Sequence, residues 1–368
     1  MAVATPGLDF QVRRDDYRKT RFVNPGAPGE LADGQVLFRV DGFALTSNNI
    51  SYAVAGDMLR YWDFFPAEEG WGRIPAMGFG DVVASRHPDV AVGLRCFGFY
   101  PMSRHLVIEP AHVGPGQIVE GAEHRKGLAP AYNTYMPVGE DPSHTPTSED
   151  RLMLMRGLFL TSWLVDDLMD ESGYFGASSV VLTSASSKTS IALAWLLHRA
   201  GRARVVGLTS AGNADFVKGL GYYADVVLYD DVESLPAGEP SVIVDMAGNG
   251  EVLNRFHRHL GENVKYSCSV GATHWEKGGR DTDLPGATPE FFFAPGRMLK
   301  RAEDWGAAGL QQRIAASWAD FRDASDSWLV VVRGRGPEAL ERVYHRLLEG
   351  QSAPSEGHVL TLQAGEAG

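Results

Sequence analysis

"SVVLTSASSKTSIALAWLLH" (residues 179–198) begins as a strand and ends as a helix. The turn between them reads Ser184, Ala185, Ser186, Ser187, Lys188, Thr189, Ser190, without a glycine. In a strand–turn–helix unit that holds a dinucleotide, glycines permit a tight turn, a close approach of the pyrophosphate, and close packing of helix on strand. The helix N-terminus then offers free N–H groups and a partial positive charge. Here Cβ atoms crowd that approach, and two readings stay open. In the first, the hydroxyls of Ser186, Ser187 and Thr189 and the Lys188 cation contact phosphate. In the second, these residues merely cap the helix. A P-loop is excluded, because both glycines of Gly-x-x-x-x-Gly-Lys are missing.

Strands alternate with helices on either side of this stretch. A strand at 180–183 precedes a helix at 188–200. "RVVGL" (204–208), "ADVVLYD" (224–230), "SVIVDMAG" (241–248) and "VKYSCSVGA" (264–272) read as further strands, with helices at 213–221 and 250–261. Such alternation predicts a doubly wound parallel sheet, whose strands are continuous apolar runs because both faces are covered. The first third reads as β-rich, in short runs such as "GQVLFRVDGFAL" (34–45) and "LRCFGFYP" (94–101) bounded by Gly and Pro. Residues 111–150 are polar and rich in Gly and Pro, which predicts a long loop of the lid or linker type. A helix follows at 147–171. The chain closes with helical residues after 300, a strand at 327–334, a helix at 336–351 and a strand at 358–363.

The 368 residues, 44% hydrophobic and 22% charged, suffice for two cored domains. A net charge of −12 argues against a general nucleic-acid binder. No apolar run approaches the ~18 residues of a membrane span, and the N-terminus lacks a secretory pattern. Cys96 and Cys268, each in an apolar run, read as buried free thiols of a reducing cytoplasm.

Several stretches together resemble the medium-chain dehydrogenase/reductase superfamily, in its zinc-free, quinone-oxidoreductase-like branch. "GQVLFRV" is similar to the opening strand. "NNISY" (48–52) resembles an Asn-x-x-Asp-Tyr segment, with Ser51 in place of the acid. "IPAMGFGDVVAS" (74–85) keeps Gly78 and Gly80 of a glycine-rich stretch. "VGLRCFG" (92–98), "LFLTSWL" (158–164) and "SEGHVLTL" (355–362) have counterparts as well. The resemblance implies an α/β plus β-rich fold, with a Rossmann-type dinucleotide domain (151–319) inserted in a GroES-like catalytic domain (1–150 and 320–368). It also implies a homodimer, and places Thr161 on the helix below a nicotinamide.

The candidate sites follow from both lines of reading. The second strand ends in Thr209 and Ser210, with no acid before Asp215, so NADP(H) is expected over NAD, with Asn213 and Lys218 within reach. Met246, Val270 and Gly271 sit at later strand ends, where ligands of open α/β sheets bind. Tyr52 occupies the active-site tyrosine position of the resemblance. Its phenol can donate a hydrogen bond or a proton, with Asn48 and Asn49 orienting a small-molecule substrate. Tyr132, Asn133 and Tyr135 are expected to close over the site as part of the long loop. Trp62, Phe64, Phe65 and Trp71 read as core or as the wall of an apolar pocket. No zinc site is expected, because Cys and His fall in no ligand spacing, and "HRHL" (257–260) reads as solvated surface. The expected function is a zinc-independent reduction of an activated C=C or C=O. The alternative is a non-redox enzyme (lyase, isomerase or acyl-group chemistry) with a weakened dinucleotide site.

Overall fold

The structure is a computed structural model that describes residues 6–140, 144–270, 281 and 283–364. The chain forms two compact units, residues 1–154 with 330–368, and residues 155–329.

The first unit is built on a nine-stranded sheet. Its path runs Val330–Arg335, Glu356–Thr361, Val36–Leu45, Pro75–Ser85, Arg95–Pro101, Thr134–Pro137, Gln117–Glu120 and Pro110–Gly114, and His105–Ile108 pairs with Val36–Leu45. A second sheet joins Thr20–Val23, Asp9–Arg13 and Trp71–Gly72. The core is aromatic, with Phe10, Phe38, Phe43, Trp62, Phe64 and Phe99 fully buried. The region expected to be a loop lid therefore holds three short strands, Pro110–Gly114, Gln117–Glu120 and Thr134–Pro137, joined by turns and irregular chain. Thr134–Pro137 pairs antiparallel with Arg95–Pro101, and again with Gln117–Glu120. Gly98 makes this possible, since a Cβ there would stand 2.5 Å from the Tyr135 ring. Tyr135 consequently fills the core at 0% exposure.

The second unit is a parallel sheet of β1 (Ser179–Leu182), β2 (Arg204–Thr209), β3 (Asp225–Leu228), β4 (Ser241–Asp245), β5 (Val264–Ser269) and β6 (Pro289–Phe291). The strand order is 3-2-1-4-5-6, and every pairing is parallel. This is the doubly wound arrangement expected, and its order reverses between β1 and β4, where such sheets bind ligands. The helices are α1 (Glu149–Glu171), α2 (Lys188–Ala200), α3 (Ala214–Gly219), α4 (Gly250–Leu260) and α5 (Ala294–Ala324). The unit extends to residue 329, beyond the expected boundary at 319. The physical reason is α5, whose Trp318 and Phe321 pack on Phe159, with Phe321 also against Trp195 of α2.

α2 is buried on every face from Ser190 to Leu197, and its two ends are capped. Ser187 caps its N-terminus by accepting from the Ser190 N–H, and Gly201 closes it in the left-handed conformation, φ 63°. The histidine pair of α4 departs from the surface reading. His257 is fully buried, with its ring nitrogens 2.9 Å from the Pro285 carbonyl and 3.0 Å from the Ser267 hydroxyl. Those two polar partners make an apolar helix face able to take a histidine.

Candidate functional site

The turn after β1 is organised by residues its glycine-free sequence leaves inconspicuous. Thr183 is buried and joins the ends of β1 and β4. Its hydroxyl donates to Asp245 Oδ1 at 2.7 Å and accepts from the N–H groups of Met246 and Ala247 at 2.9 and 3.1 Å. Asp245 Oδ1 also accepts from the Gly248 N–H at 3.0 Å. Ser184 then turns the chain at φ 51°, in the left-handed region that a glycine normally occupies. Its N–H donates to the Tyr229 hydroxyl at 2.9 Å, and its carbonyl accepts from the Ser187 N–H at 2.7 Å. Ser is a tolerable choice here because external hydrogen bonds fix the conformation.

Close packing of turn on sheet, the third task of a glycine-rich motif, has moved to β2. A Cβ at Gly207 would stand 2.8 Å from the Ala185 Cβ and 2.9 Å from the Tyr223 ring. Ala185 is buried. Its N–H donates to the Leu208 carbonyl at 3.0 Å, and its own carbonyl accepts from the Tyr223 hydroxyl at 2.8 Å. From α1, the Ser162 hydroxyl donates to the Thr189 carbonyl at 2.8 Å and ties down the first turn of α2.

The expected residues distribute around this frame. Ser186 is half-buried and accepts from Asn213 Nδ2 at 3.0 Å, which links the turn to the end of β2. The Ser187 hydroxyl is committed to the helix cap, while Lys188 and Thr189 open α2. Thr209 is buried at the end of β2, and Ser210 beyond it is exposed. Lys218 is exposed on the last turn of α3, roughly 6 Å along the axis from Ala214. Met246 is half-buried beyond β4, and the Val270 N–H donates to the Asp245 carbonyl at 2.9 Å. Thr161 is half-buried on α1, with its hydroxyl 3.4 Å from the Gly157 carbonyl. Gly271 lies outside the described residues.

In the first unit, "NNISY" falls on a helix, Ser47–Val54, entered through a capping box at Thr46. Asn49 belongs to that cap. Its Oδ1 accepts from the Thr46 N–H at 2.7 Å and its Nδ2 donates to the Pro75 carbonyl at 2.9 Å, so it is structural. Tyr52 is 8% exposed within a cluster of rings. Its centroid lies 4.4 Å from Tyr61, and Tyr132 stacks on Phe99 at 4.3 Å. The Tyr52 and Tyr132 hydroxyls are 3.4 Å apart. Burial, followed by Tyr132 and Tyr61, holds the Tyr52 phenol well above its ordinary pKa, against a smaller opposing hydrogen bond from Asn48. Tyr52 is therefore a protonated donor at neutral pH.

Tyr135 is corrected. Its hydroxyl donates to the Phe99 carbonyl at 3.0 Å and accepts from Arg125 Nη2 at 3.2 Å, both inside the core, so no catalytic role falls to it. Arg125 also bonds the Asn133 side chain at 3.1 Å and lies over the rings of Phe64 and Phe65. Asn133 thereby serves the framework too. Trp62, Phe64 and Phe65 are buried core, and both cysteines are buried free thiols.

Sequence reasoning missed Thr183, Ser184, Tyr223, Tyr229 and Asp245. Only Ser184 left a signal, since it stands where the first glycine of the motif would. Among the described residues, no group of three or more His, Cys, Asp or Glu is placed to hold a metal ion. No helix among them is long and apolar enough to cross a membrane.

A family model described as protein of unknown function DUF2855 matches residues 43–353. The chain belongs to that family. No curated protein matches the DUF2855 chain. Solved structures match it over nearly its whole length at low identity. CurA from Vibrio vulnificus in complex with NADPH is 13% identical, covering 94% of this chain and 95% of its own, with a TM-score of 0.57. A putative NADPH:quinone reductase from Mesorhizobium loti is 15% identical, covering 98% and 100%, with a TM-score of 0.61. A mutant of Etr1p in complex with NADP and crotonyl-CoA is 11% identical, covering 97% and 100%, also with a TM-score of 0.61. At these identities the likeness establishes the fold of the DUF2855 protein alone, a β-rich unit and a doubly wound parallel-sheet unit.

Proposed function

We propose that this protein is an NADP(H)-dependent oxidoreductase that reduces an activated C=C or C=O of a small, largely apolar substrate without zinc. The observation that carries the reading is Ser184. It supplies the left-handed turn that glycine supplies elsewhere, so the N-terminus of α2 is presented at the reversal point of the sheet despite the missing glycines. The NADPH and NADP complexes of the similarly folded CurA and Etr1p support the choice of cofactor.

The residues present fit a phosphorylated dinucleotide. The turn 183–189 carries donor side chains, the hydroxyls of Ser186 and Thr189 and the Lys188 cation, up to the start of α2. The end of β2 is neutral, since Thr209, Ser210 and Asn213 precede the first acid, Asp215. A 2′-phosphate meets no carboxylate there. When bound, the nicotinamide supplies hydride. In the first unit, Tyr52 holds a proton at its hydroxyl, Asn48 orients that phenol, and the rings of Tyr61, Phe64 and Phe99 keep water from it.

Titration of the whole protein with NADPH, followed by nucleotide fluorescence, tests the reading. Saturable binding is expected, weakened by about tenfold in Ser210→Asp, with binding of NADH unaffected. Failure of both nucleotides to bind at millimolar concentration would overturn it and favour a non-redox enzyme.

A further inference from the structure

The ring cluster of the first unit carries three hydroxyls, those of Tyr52, Tyr61 and Tyr132, and they are unequally placed. Tyr52 is 8% exposed and enclosed, with Tyr61, Phe99 and Tyr132 at centroid distances of 4.4, 5.6 and 6.2 Å. Its oxygen takes a hydrogen bond from Asn48 and stands 3.4 Å from the Tyr132 hydroxyl. Tyr132 is half-buried and ends a short turn, Pro130–Tyr132, in which Pro130 and Ala131 are exposed. Tyr132 thus extends the polar part of the cluster from the enclosed Tyr52 hydroxyl toward the surface.

Two sets of contacts fix Tyr132. Its ring stacks on Phe99 at 4.3 Å with planes 18° apart, and meets Phe64 edge-on at 5.8 Å. Its backbone is held by Arg125, which is 1% exposed. Arg125 Nη1 donates to the Tyr132 carbonyl at 3.4 Å and to Asn133 Oδ1 at 3.1 Å. Asn133 Nδ2 returns a bond to the Arg125 carbonyl at 3.1 Å. Arg125 has no carboxylate partner among the described residues, and its Nε has no acceptor. Burying a cation without a counter-charge is costly, and this cation holds one short turn in place. The contact between the Tyr52 and Tyr132 hydroxyls is different. It is longer than a relaxed O–H···O bond of about 2.5–3.0 Å, so neither proton is committed to it. A fixed ring with an uncommitted proton is a preorganised donor.

We propose that Tyr132 is the phenol that donates a hydrogen bond to the carbonyl oxygen of the substrate, with Tyr52 behind it as a positioning residue. This rests on the reductase reading above and deepens it. Hydride adds to the β carbon of a conjugated ketone, the C=C electron pair moves onto the oxygen, and a proton from water completes the product at the α carbon. Tyr132 keeps its own proton and stabilises the charge on the oxygen. Tyr52, oriented by Asn48, donates to the Tyr132 oxygen, and a hydroxyl that accepts is a stronger donor. The ring surfaces around these hydroxyls suit a planar conjugated ligand.

The probe is para-dimethylaminobenzylideneacetone, a planar conjugated ketone whose absorption moves to longer wavelength when its oxygen accepts a hydrogen bond. It is titrated into the whole protein with oxidised NADP present, so that no turnover occurs. Wild type should bind it with the band displaced. Tyr132→Phe should lose the displacement and bind roughly fivefold more weakly, the worth of one net hydrogen bond. Tyr52→Phe should keep a reduced displacement, the mark of a residue that acts through Tyr132. A displacement kept by Tyr132→Phe or lost in Tyr52→Phe overturns the proposal, as does the absence of saturable binding to wild type. If Tyr132→Phe does not fold, wild type labelled with carbon-13 at the tyrosine ζ carbons decides. The ketone should then move the Tyr132 resonance more than that of Tyr52, and the reverse order overturns the proposal. NADPH fluorescence on the same samples reports on the reductase reading separately. A protein that binds NADPH and not the ketone loses this proposal alone, and one that binds neither loses both.

Discussion

Strand β1 lies between two turns that both force ordinary side chains into left-handed backbone, Tyr174 and Phe175 before it and Ser184 after it. The first turn is bracketed by glycines and the second has none. Their supports run opposite to that impression. Around Ser184, the hydroxyls of Tyr229, Thr183 and Tyr223 each meet a backbone partner. Around Tyr174, the hydroxyl meets nothing, and ring packing does the holding. A left-handed L-residue costs about 1–2 kcal/mol wherever it stands. Where hydrogen bonds offset that cost, the turn is a fixed platform. Where ring packing offsets it, the turn is held by apolar contact alone. Glycine content alone distinguishes neither case.

Thr183→Val should break the platform most severely. The substitution keeps the shape and removes one hydroxyl. It leaves the Met246 N–H without its acceptor and removes the shortest of the hydrogen bonds to Asp245 Oδ1, which keeps those from the Ala247 and Gly248 N–H groups. Stranding one buried N–H costs about 1–3 kcal/mol and losing a hydrogen bond to a carboxylate about 1.5–3 kcal/mol, so a total loss of about 3 kcal/mol is expected. Urea unfolding should show a lower midpoint at unchanged slope. A loss below about 1 kcal/mol would mean that the β1–β4 tie is not what holds the turn.

The sharpest contrast between the two turns is one substitution made at both. Tyr229→Phe strands the Ser184 N–H and should cost about 1–2 kcal/mol. Tyr174→Phe removes a hydroxyl that has no partner and should be neutral or stabilising. Paired thermal melts at one pH read the two signs. Equal losses would erase the distinction drawn between the turns.

How much of this was legible in the sequence depends on how local the cause is. The second unit was readable because buried parallel strands must be continuous apolar runs, and β1, β2 and β4 are. The segment 111–150 hides three short strands because its Gly, Pro and polar content signals a loop. Its strand identity comes from pairing with Arg95–Pro101, and Tyr135 is core because Gly98, distant in sequence, leaves room for its ring. "NNISY" hid a helix capped at Thr46, with Asn49 closing the capping box. Ser186 and Asn213 were placed by the motif and do meet. Tyr229 was out of reach, since it reaches Ser184 from the end of β3, two strands away, and no local pattern encodes that contact. His257 was misjudged because a solvated histidine and a satisfied buried one look alike in sequence.

The smallest expected effect carries information about the opening turn. Ser184→Gly removes the Cβ from a residue at φ 51°. Relief of left-handed strain is worth about 1–2 kcal/mol, while the added freedom of glycine in the unfolded chain takes back about 0.4–1 kcal/mol. The hydrogen bond to Tyr229 uses the backbone N–H and survives the substitution. A net gain of roughly 0.5 kcal/mol is therefore expected from urea unfolding. A loss of more than about 1 kcal/mol would show that the Ser184 side chain itself contributes to the turn. The same variant restores the close backbone approach that a pyrophosphate favours. NADPH binding should then tighten, by a few-fold and not by orders of magnitude, because the N–H facing Tyr229 stays engaged. Unchanged affinity alongside the stability gain would mean that the phosphates are met by side chains of α2 and not by the backbone of the turn.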